Sequence, residues 1–338
     1  MNKITTIGLD LAKLVFHVVC CNQRGKVIRK RKLKRSQVLG YFAQLESCVI
    51  AMEACASAHY WARQFEKLGH RPKLIAPQHI KAYLLGNKND YNDASAIAEA
   101  ATRDRLREVA VKSEAQQDIQ AIHRMRSRCL RERTALCNQI RGLLGEYGIL
   151  LPKGVNGVRR GIPRVLEDDE NGLSDLFRRL LNQRYQQLVE LDSHIDFYTE
   201  EVERHTRESE ACQRLQTLPG YGVIVASAFH SAMGNGEAFK RGREVSAALG
   251  LVPKQHTTGD NPVLLGISKR GDGYLRSLLV HGARAVVSRA ANKDDKLSLW
   301  INRIRAERGF NKAVVAMANK MARMGWAVLA NKSIYQAA

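Results

Sequence analysis

Residues Ile4 to Lys13 read Ile-Thr-Thr-Ile-Gly-Leu-Asp-Leu-Ala-Lys, an apolar and β-branched run with the character of a buried strand and a single carboxylate, Asp10, at its end. A carboxylate so placed needs compensation, because burying an unpaired charge is costly. Three acids downstream complete a set: Glu53 directly after the apolar run Cys48 to Met52, and Asp90 and Asp93 in Lys88-Asn89-Asp90-Tyr91-Asn92-Asp93. Four carboxylates drawn together by a fold make a site for hard divalent cations.

The surrounding pattern says how they would meet. Val15 to Cys20, a turn at Asn22 to Gly25, and Lys26 to Leu33 add two strands to the first, giving an antiparallel meander. Ser36 is placed to cap a helix through Leu45, Cys48 to Met52 reads as another buried strand, Ala58 to Leu68 as a helix ending at Gly69, and Lys73 to Ala76 as a strand stopped by Pro77. The order βββαβαβα, with Asp on the first strand and Glu just after the fourth, resembles what a ribonuclease H-like nuclease or recombinase domain would show. Asp90 and Asp93 open a further helix, Ala94 to Ala101, and lie three residues apart on one face. Taken alone they are equally well explained as caps that favour the helix dipole. Together the four acids suit two Mg²⁺ ions about 3.5 to 4 Å apart, which hold the attacking and leaving oxygens of a phosphoryl transfer. The sequence offers no His or Cys cluster, which argues against zinc. The cysteines at 20, 21, 48, 55, 129, 137 and 212 sit mostly inside apolar runs and read as reduced core thiols of a cytosolic protein.

Lys plus Arg number 54 against 33 Asp plus Glu, a net charge of +21 spread along the whole chain, so a polyanionic partner is expected, most simply nucleic acid. No apolar run approaches the roughly 20 residues needed to span a bilayer. From Ser113 to Tyr147 the chain is helical and arginine-dense, with Arg124, Arg126, Arg128, Arg131 and Arg133 close together. Its apolar positions Ile119, Ile122, Cys129, Leu136, Ile140, Leu143 and Tyr147 step by threes and fours. Residues 152–172 hold glycines, two prolines and the acidic run Glu167 to Glu170, and read as a turn region or mobile insert. A second long helix, about Leu173 to Glu208, keeps a heptad seam from Phe177 to Val202, so the two helices are expected to form an antiparallel coiled-coil arm.

In the last third, Leu215 to Val223 breaks a helix at Pro219, Gly220 and Gly222 and restarts one, either as a helix-hairpin-helix that offers backbone N–H groups to phosphate or as an ordinary corner. A polar loop with Thr257, Thr258 and Gly259-Asp260 follows Gly250-Leu251-Val252-Pro253, then the basic turn Gly266 to Asp272 and a helix from Tyr274. Such a loop can hold a phosphate against a hydroxyl nucleophile. The run Leu297 to Tyr335 is helical and basic, its Trp300, Met317, Met321 and Trp326 reading as packing.

Two sets of motifs resemble one family. Gly8-Leu9-Asp10-Leu11-Ala12-Lys13, Met52-Glu53-Ala54 and Lys88 to Ala94 look like the N-terminal, RuvC-like domain of the DEDD transposases of bacterial insertion sequences, the bridge-RNA-guided recombinases related to the pilin-gene invertase. Gly250-Leu251-Val252-Pro253, the run Gly266 to Asp272, Leu275-Arg276 and His281-Gly282-Ala283-Arg284 resemble their C-terminal transposase domain. The resemblance implies an α/β plus α fold. Residues 1–112 would be a RuvC-like (ribonuclease H-like) mixed sheet with helices, 113–210 the helical arm with its insert, and 211–338 a mainly helical C-terminal domain. It implies Asp10, Glu53, Asp90 and Asp93 as Mg²⁺ ligands and catalytic residues. It also implies a hydroxyl nucleophile where the family carries serine; here Thr258 holds that place, with Thr257 beside it and Ser268 beyond. The implied partners are DNA at the element ends and target, a structured guide RNA, and further copies of the chain in a dimer or tetramer. The implied setting is the bacterial cytoplasm at the nucleoid. Two other readings stand: a RuvC-like Mg²⁺-dependent nuclease that uses water, and a non-catalytic nucleic-acid-binding remnant. An actin-like sugar kinase also starts with a strand ending in Gly-x-Asp, but no second glycine-rich phosphate loop follows a strand.

Overall fold

A computed structural model describes residues 3–84, 89–103, 106–259 and 261–336, and gives the backbone alone for Thr258, Asn261 and Pro262. Lys88 and Asp260, named above, lie outside the described residues. The chain divides into two compact units, Met1–Ser113 and Glu114–Ala338.

The first unit is built on a sheet ordered β3-β2-β1-β4-β5-β6. Its strands are β1 Thr6–Asp10, β2 Val15–Cys21, β3 Val27–Lys34, β4 Val49–Glu53, β5 Arg71–Ile75 and β6 Glu108–Val109. The meander β1-β2-β3 is antiparallel, β4 and β5 join parallel to β1, and β6 closes the edge antiparallel to β5. The helices are α1 Val38–Ala43, α2 Ala58–Lys67, α3 Pro77–Ile80 and α4 Asp90–Ala101. Because successive residues of a strand face opposite sides, the sheet sorts its side chains by size. Ile7, Leu9, Phe16, Val18, Ile50, Met52 and Leu74 pack with Phe42, Trp61 and Phe65 of α1 and α2. On the opposite side Ala51 and Ile75 meet Ala96, Ile97 and Ala100 of α4, and Val19 and Cys21 meet its Ala94 and Ala98.

Small residues let α4 come close. A Cβ on Gly8 would stand 2.0 Å from the Ala94 carbonyl oxygen and 2.7 Å from the Ala98 nitrogen, so only glycine fits between helix and strand. Two local expectations are corrected. Ser36 does not cap a helix; a 3₁₀ turn, Arg35–Gln37, precedes α1, and Gln37 Oε1 accepts from the Lys34 N–H at 2.9 Å. The edge strand β6 has only two residues, too few to leave a period in the sequence.

In the second unit α5 Glu114–Gly145 and α7 Asp175–Glu208 lie antiparallel. Arg126 donates to Thr199 at 2.8 Å, Arg133 pairs with Asp192 at 2.8 Å, and Tyr147 meets Phe177 at 4.4 Å between ring centroids. The supposed insert is a helix, α6 Val155–Glu167, with Val158 and Ile162 fully buried against the pair. Its Arg159 also pairs with Asp192. The glycines that suggested a turn serve packing instead: Gly157 and Gly161 abut Pro152 and Leu151, leaving no room for a Cβ. Near the end of α5 the seam runs through the buried Leu144, while Leu143 is exposed.

The rest is α8 Glu210–Gln216, α9 Val223–Met233, α10 Gly242–Ala248, the hairpin β7 Pro253–Thr258 and β8 Asn261–Ile267, and α11 Gly273–Arg289, α12 Lys296–Arg308 and α13 Phe310–Ala330. Val314, Met317, Met321 and Ala322 of α13 lie at the core among α8 to α11. The turn before α9 packs inward: Gly220 lies against Met321 and the Gly282 carbonyl, and Tyr221 Oη donates to the Met321 carbonyl at 3.0 Å. That arrangement favours the ordinary-corner reading of this turn. No helix among the described residues is long and apolar enough to cross a membrane.

Replacing Gly8 with Ala is expected to cost about 1–3 kcal/mol, the usual range for overpacking. Urea unfolding of the variant checks it, and an unchanged midpoint would contradict the close approach.

Candidate active site

β1 and β4 run parallel with Leu9 opposite Met52, so Asp10 and Glu53, each next in its strand, leave the sheet side by side at the same edge. On the other flank of β1, antiparallel pairing sets His17 of β2 opposite Asp10. Helix α4 starts over this edge. Its N-cap is Asn89, whose side chain accepts from the Tyr91 N–H at 2.9 Å. Asp90 and Asp93 therefore occupy the first turn without serving as the cap, which weakens the capping explanation and leaves the favourable dipole term.

Asp10, His17 and Asp90 form a tight group, with one potential ligand atom from each within 4.8 Å of the others. His17 Nδ1 is 3.4 Å from Asp90 Oδ2 without the angles of a hydrogen bond, so this buried nitrogen has no hydrogen-bond partner among the described residues. The ring is held edge-on to Tyr91 at 4.8 Å between centroids. Asp10 is pushed up to about 6, first by burial and then by the charges of Asp93 and Asp90, with Glu53 adding to the shift and His17 opposing it. All four sequence-predicted acids thus act on one locus in the first unit.

Sequence reasoning missed two neighbours. His17 was legible only through strand pairing: a meander turning just after Asp10 brings a residue early in the next strand beside it. Cys55 was read with the core thiols, yet it is exposed, whereas Cys20, Cys21, Cys48, Cys137 and Cys212 are buried. Partial burial, then the charges of Glu53 and Asp10, push its thiol up.

The hydroxyl-bearing segment of the second unit is a hairpin rather than a loop. Thr258 pairs with Asn261 next to the turn, where Gly259 takes φ +54°. Thr257 Oγ1 accepts from Gln255 Nε2 at 2.9 Å. The side chain of Thr258 lies outside the described residues. The hairpin base is clamped where two glycine runs cross. A Cβ on Gly250 would stand 2.4 Å from the Arg270 carbonyl oxygen, and one on Gly271 would stand 1.9 Å from that of Ala248. Ser268 N–H donates to the Val252 carbonyl at 2.8 Å across this crossing.

Beside α11 a cleft of about 640 Å³ is lined by Gln120, His123, Arg124, Ser127, Arg131 and Tyr274, among others. His123 bridges Tyr274 Oη and Ser227 Oγ, each at 3.0 Å, and its pKa is pushed down to about 4 by burial, Arg126 and His205. It stays neutral and serves as a pin between α5, α9 and α11. The expectation of no His and Cys cluster is overturned: His205, Cys212 and His230, from three different helices, meet in this unit.

Two family models match the chain. One, a transposase model of the DEDD, IS110 type, covers residues 7–149, and the other, described as the transposase IS116/IS110/IS902 family, covers residues 212–298. The transposase for insertion sequence element IS1111A of Coxiella burnetii is 44% identical over 99% of this chain and 92% of its own length. The chain belongs to the IS110 family of insertion-sequence transposases. A probable family 20 transposase of Pseudomonas aeruginosa is 46% identical over 99% of both chains. The transposase for insertion sequence element IS1328 of Yersinia enterocolitica is 37% identical over 99% of both. The first match contains all four acids of this transposase, and the second contains its hairpin and both glycine runs.

The Asp10 geometry has a measurable consequence. Its folded pKa lies above the unfolded value of about 3.9, so its ionised form opposes folding. That cost is absent below both values, grows as pH rises between them and is full above the folded value. Asp10→Asn is therefore expected to raise the melting temperature by a few degrees at about pH 7.5 in chelated buffer, with about half the gain left at pH 5. Thermal melts at the two pH values check this; a gain that grows on acidification would contradict it.

Proposed function

We propose that this transposase cuts and rejoins DNA by transesterification, with the Thr258 hydroxyl as nucleophile and Asp10, Glu53, Asp90 and Asp93 as the ligands of Mg²⁺. The observation that carries the reading is the convergence of four carboxylates at one sheet edge, where burial and mutual repulsion raise the pKa of Asp10. Such a set fits a hard cation: its donors are carboxylate oxygens, and their uncompensated repulsion is what a divalent ion relieves. His17 adds a nitrogen beside Asp90. When bound, Mg²⁺ stabilises the charge that develops on the phosphate and on the leaving oxygen.

The chain's own residues have separable tasks. Asp10 and Glu53, fixed on neighbouring strand ends, hold a rigid pair of donors, while Asp90 and Asp93 close over them from α4. The Thr258 hydroxyl attacks phosphorus and gives up its proton. The P–O bond to the neighbouring nucleotide breaks, and that oxygen leaves as a DNA hydroxyl. A phosphothreonine ester conserves the bond energy, so a DNA hydroxyl can later attack it, free the threonine and reseal a strand without ATP. Threonine is secondary and stiff at χ1, so its hydroxyl depends on the hairpin for aim. The crossing at Gly250 and Gly271 fixes the base of that hairpin.

Supporting nucleic acid as partner are the net charge of +21 and the arginines of α5 along the cleft. A structured guide RNA read by shape and backbone supplies the choice of DNA site. The chain works as an oligomer, in which the acid site of one copy and the nucleophile of another complete one centre and the arm of residues 113–210 joins copies. Its setting is the bacterial cytoplasm at the nucleoid.

The test incubates purified protein with RNA transcribed from the element's flanks, labelled element-end DNA and Mg²⁺, and traps covalent adducts on a denaturing gel. The wild type and Thr258→Ser are expected to form an adduct and Thr258→Ala none. Asp10→Asn and Asp93→Asn should each lower its yield about 10²-fold or more. Mg²⁺-dependent free ends that persist in Thr258→Ala would instead assign a water-using nuclease. DNA binding unaffected by all of these changes, with no cleavage by the wild type, would assign a binding remnant.

A further inference from the structure

The chain bends at Ser209 and then folds back through α9 onto one small cluster. Helix α7 ends at Ser209, whose N–H donates to the His205 carbonyl at 3.0 Å and whose hydroxyl caps α8 by accepting from the Cys212 N–H at 3.3 Å. This bend sets Cys212, seven residues on, beside His205. His230, on the last turn of α9, faces both: its Nδ1 is 3.7 Å from Cys212 Sγ, and its ring stacks on that of His205 at 6.4 Å and 16°. One ligand atom from each of the three lies within 4.8 Å of the others.

We propose that His205, Cys212 and His230 form a binding site for a borderline-soft transition-metal ion of the zinc type. A tetrahedral zinc with Zn–N of about 2.0–2.1 Å and Zn–S of about 2.3 Å separates adjacent nitrogen and sulfur donors by about 3.6 Å. The 3.7 Å between Cys212 Sγ and His230 Nδ1 already matches that edge. An S–H···N hydrogen bond would account for this pair alone and not for His205, stacked in the same cluster. Cys212 is fully buried, and its thiol proton passes to solvent as the metal–sulfur bond forms. The nearby Arg214 is balanced by Glu210, 3.3 Å away.

Imidazole and thiolate donors select zinc-like ions over Mg²⁺, so this centre is chemically distinct from the carboxylate locus of the first unit. Among the described residues the cluster supplies three donors, which leaves the fourth position to water or an external ligand. Its place defines its role: it ties the end of α7 to α8 and α9, the junction between the long helix pair and the bundle around α13.

The full chain, stripped with chelator, is titrated with Co²⁺ in the presence of excess Mg²⁺. Expected is one equivalent of Co²⁺ with a thiolate-to-cobalt charge-transfer band and strong tetrahedral d–d bands, bleached by one equivalent of Zn²⁺. Cys212→Ser should abolish the charge-transfer band, and His230→Gln should weaken binding by more than about 100-fold, beyond the loss typical of an outer-shell partner. Asp10→Asn should leave both signals intact. Zinc-edge X-ray absorption on the wild type needs no variant and is expected to show one sulfur with nitrogen donors. A shell of oxygen and nitrogen only, no thiolate band, or a band that survives Cys212→Ser would overturn the site.

Discussion

Helix α4 rests on β1 with no side chain between them at Gly8, and the placement of the acids follows from that contact. The strand can carry two donors to the sheet edge by itself, because parallel pairing of β1 with β4 puts Asp10 next to Glu53. It cannot bring Asp90 and Asp93, which lie far along the chain. They arrive because Ala94 and Ala98 press onto Gly8 and Val19, fixing the first turn of α4 above Asp10. The resulting repulsion is visible in the raised pKa of Asp10. A locus that opposes its own ionisation in this way is the electrostatic counterpart of a cation site.

Glycine-mediated contact recurs in the second unit with a different result. Gly250 and Gly271 allow two backbones to cross beneath the hairpin, and Gly220 and Gly282 do the same where α11 meets the turn before α9. In each case the motif that looks like a loop signature is a packing device. A rigid base beneath the hairpin and a positive-φ turn at Gly259 leave Thr258 beside the tip, where the proposed chemistry needs an aimed hydroxyl.

The first five strands, the two long helices and the positions of Asp10 and Glu53 were legible because each rests on a local signal: an apolar run, a heptad seam, or a carboxylate ending an apolar run, whereas Asp90 and Asp93 sit in a polar stretch and stood out only in combination with the other two. What escaped was nonlocal or too short. His17 required knowing the register of a pairing, and β6 had two residues with which to show a period. Helix α6 was hidden by a proline inside it and by two glycines that make close contact with Leu151 and Pro152. The cluster of His205, Cys212 and His230 has no metal-binding spacing in the sequence, since a capped bend and an antiparallel return, rather than a knuckle, bring its members together.

The central claim is that the four carboxylates at the β1 edge hold a divalent ion. Anomalous scattering from crystals of the chain soaked in Mn²⁺ tests it directly. The account predicts a peak about 2.0–2.3 Å from carboxylate oxygens of Asp10 and Glu53, within reach of α4's first turn, and its loss in Asp10→Asn. Manganese peaks elsewhere in well-ordered crystals, with none at this edge, would contradict it.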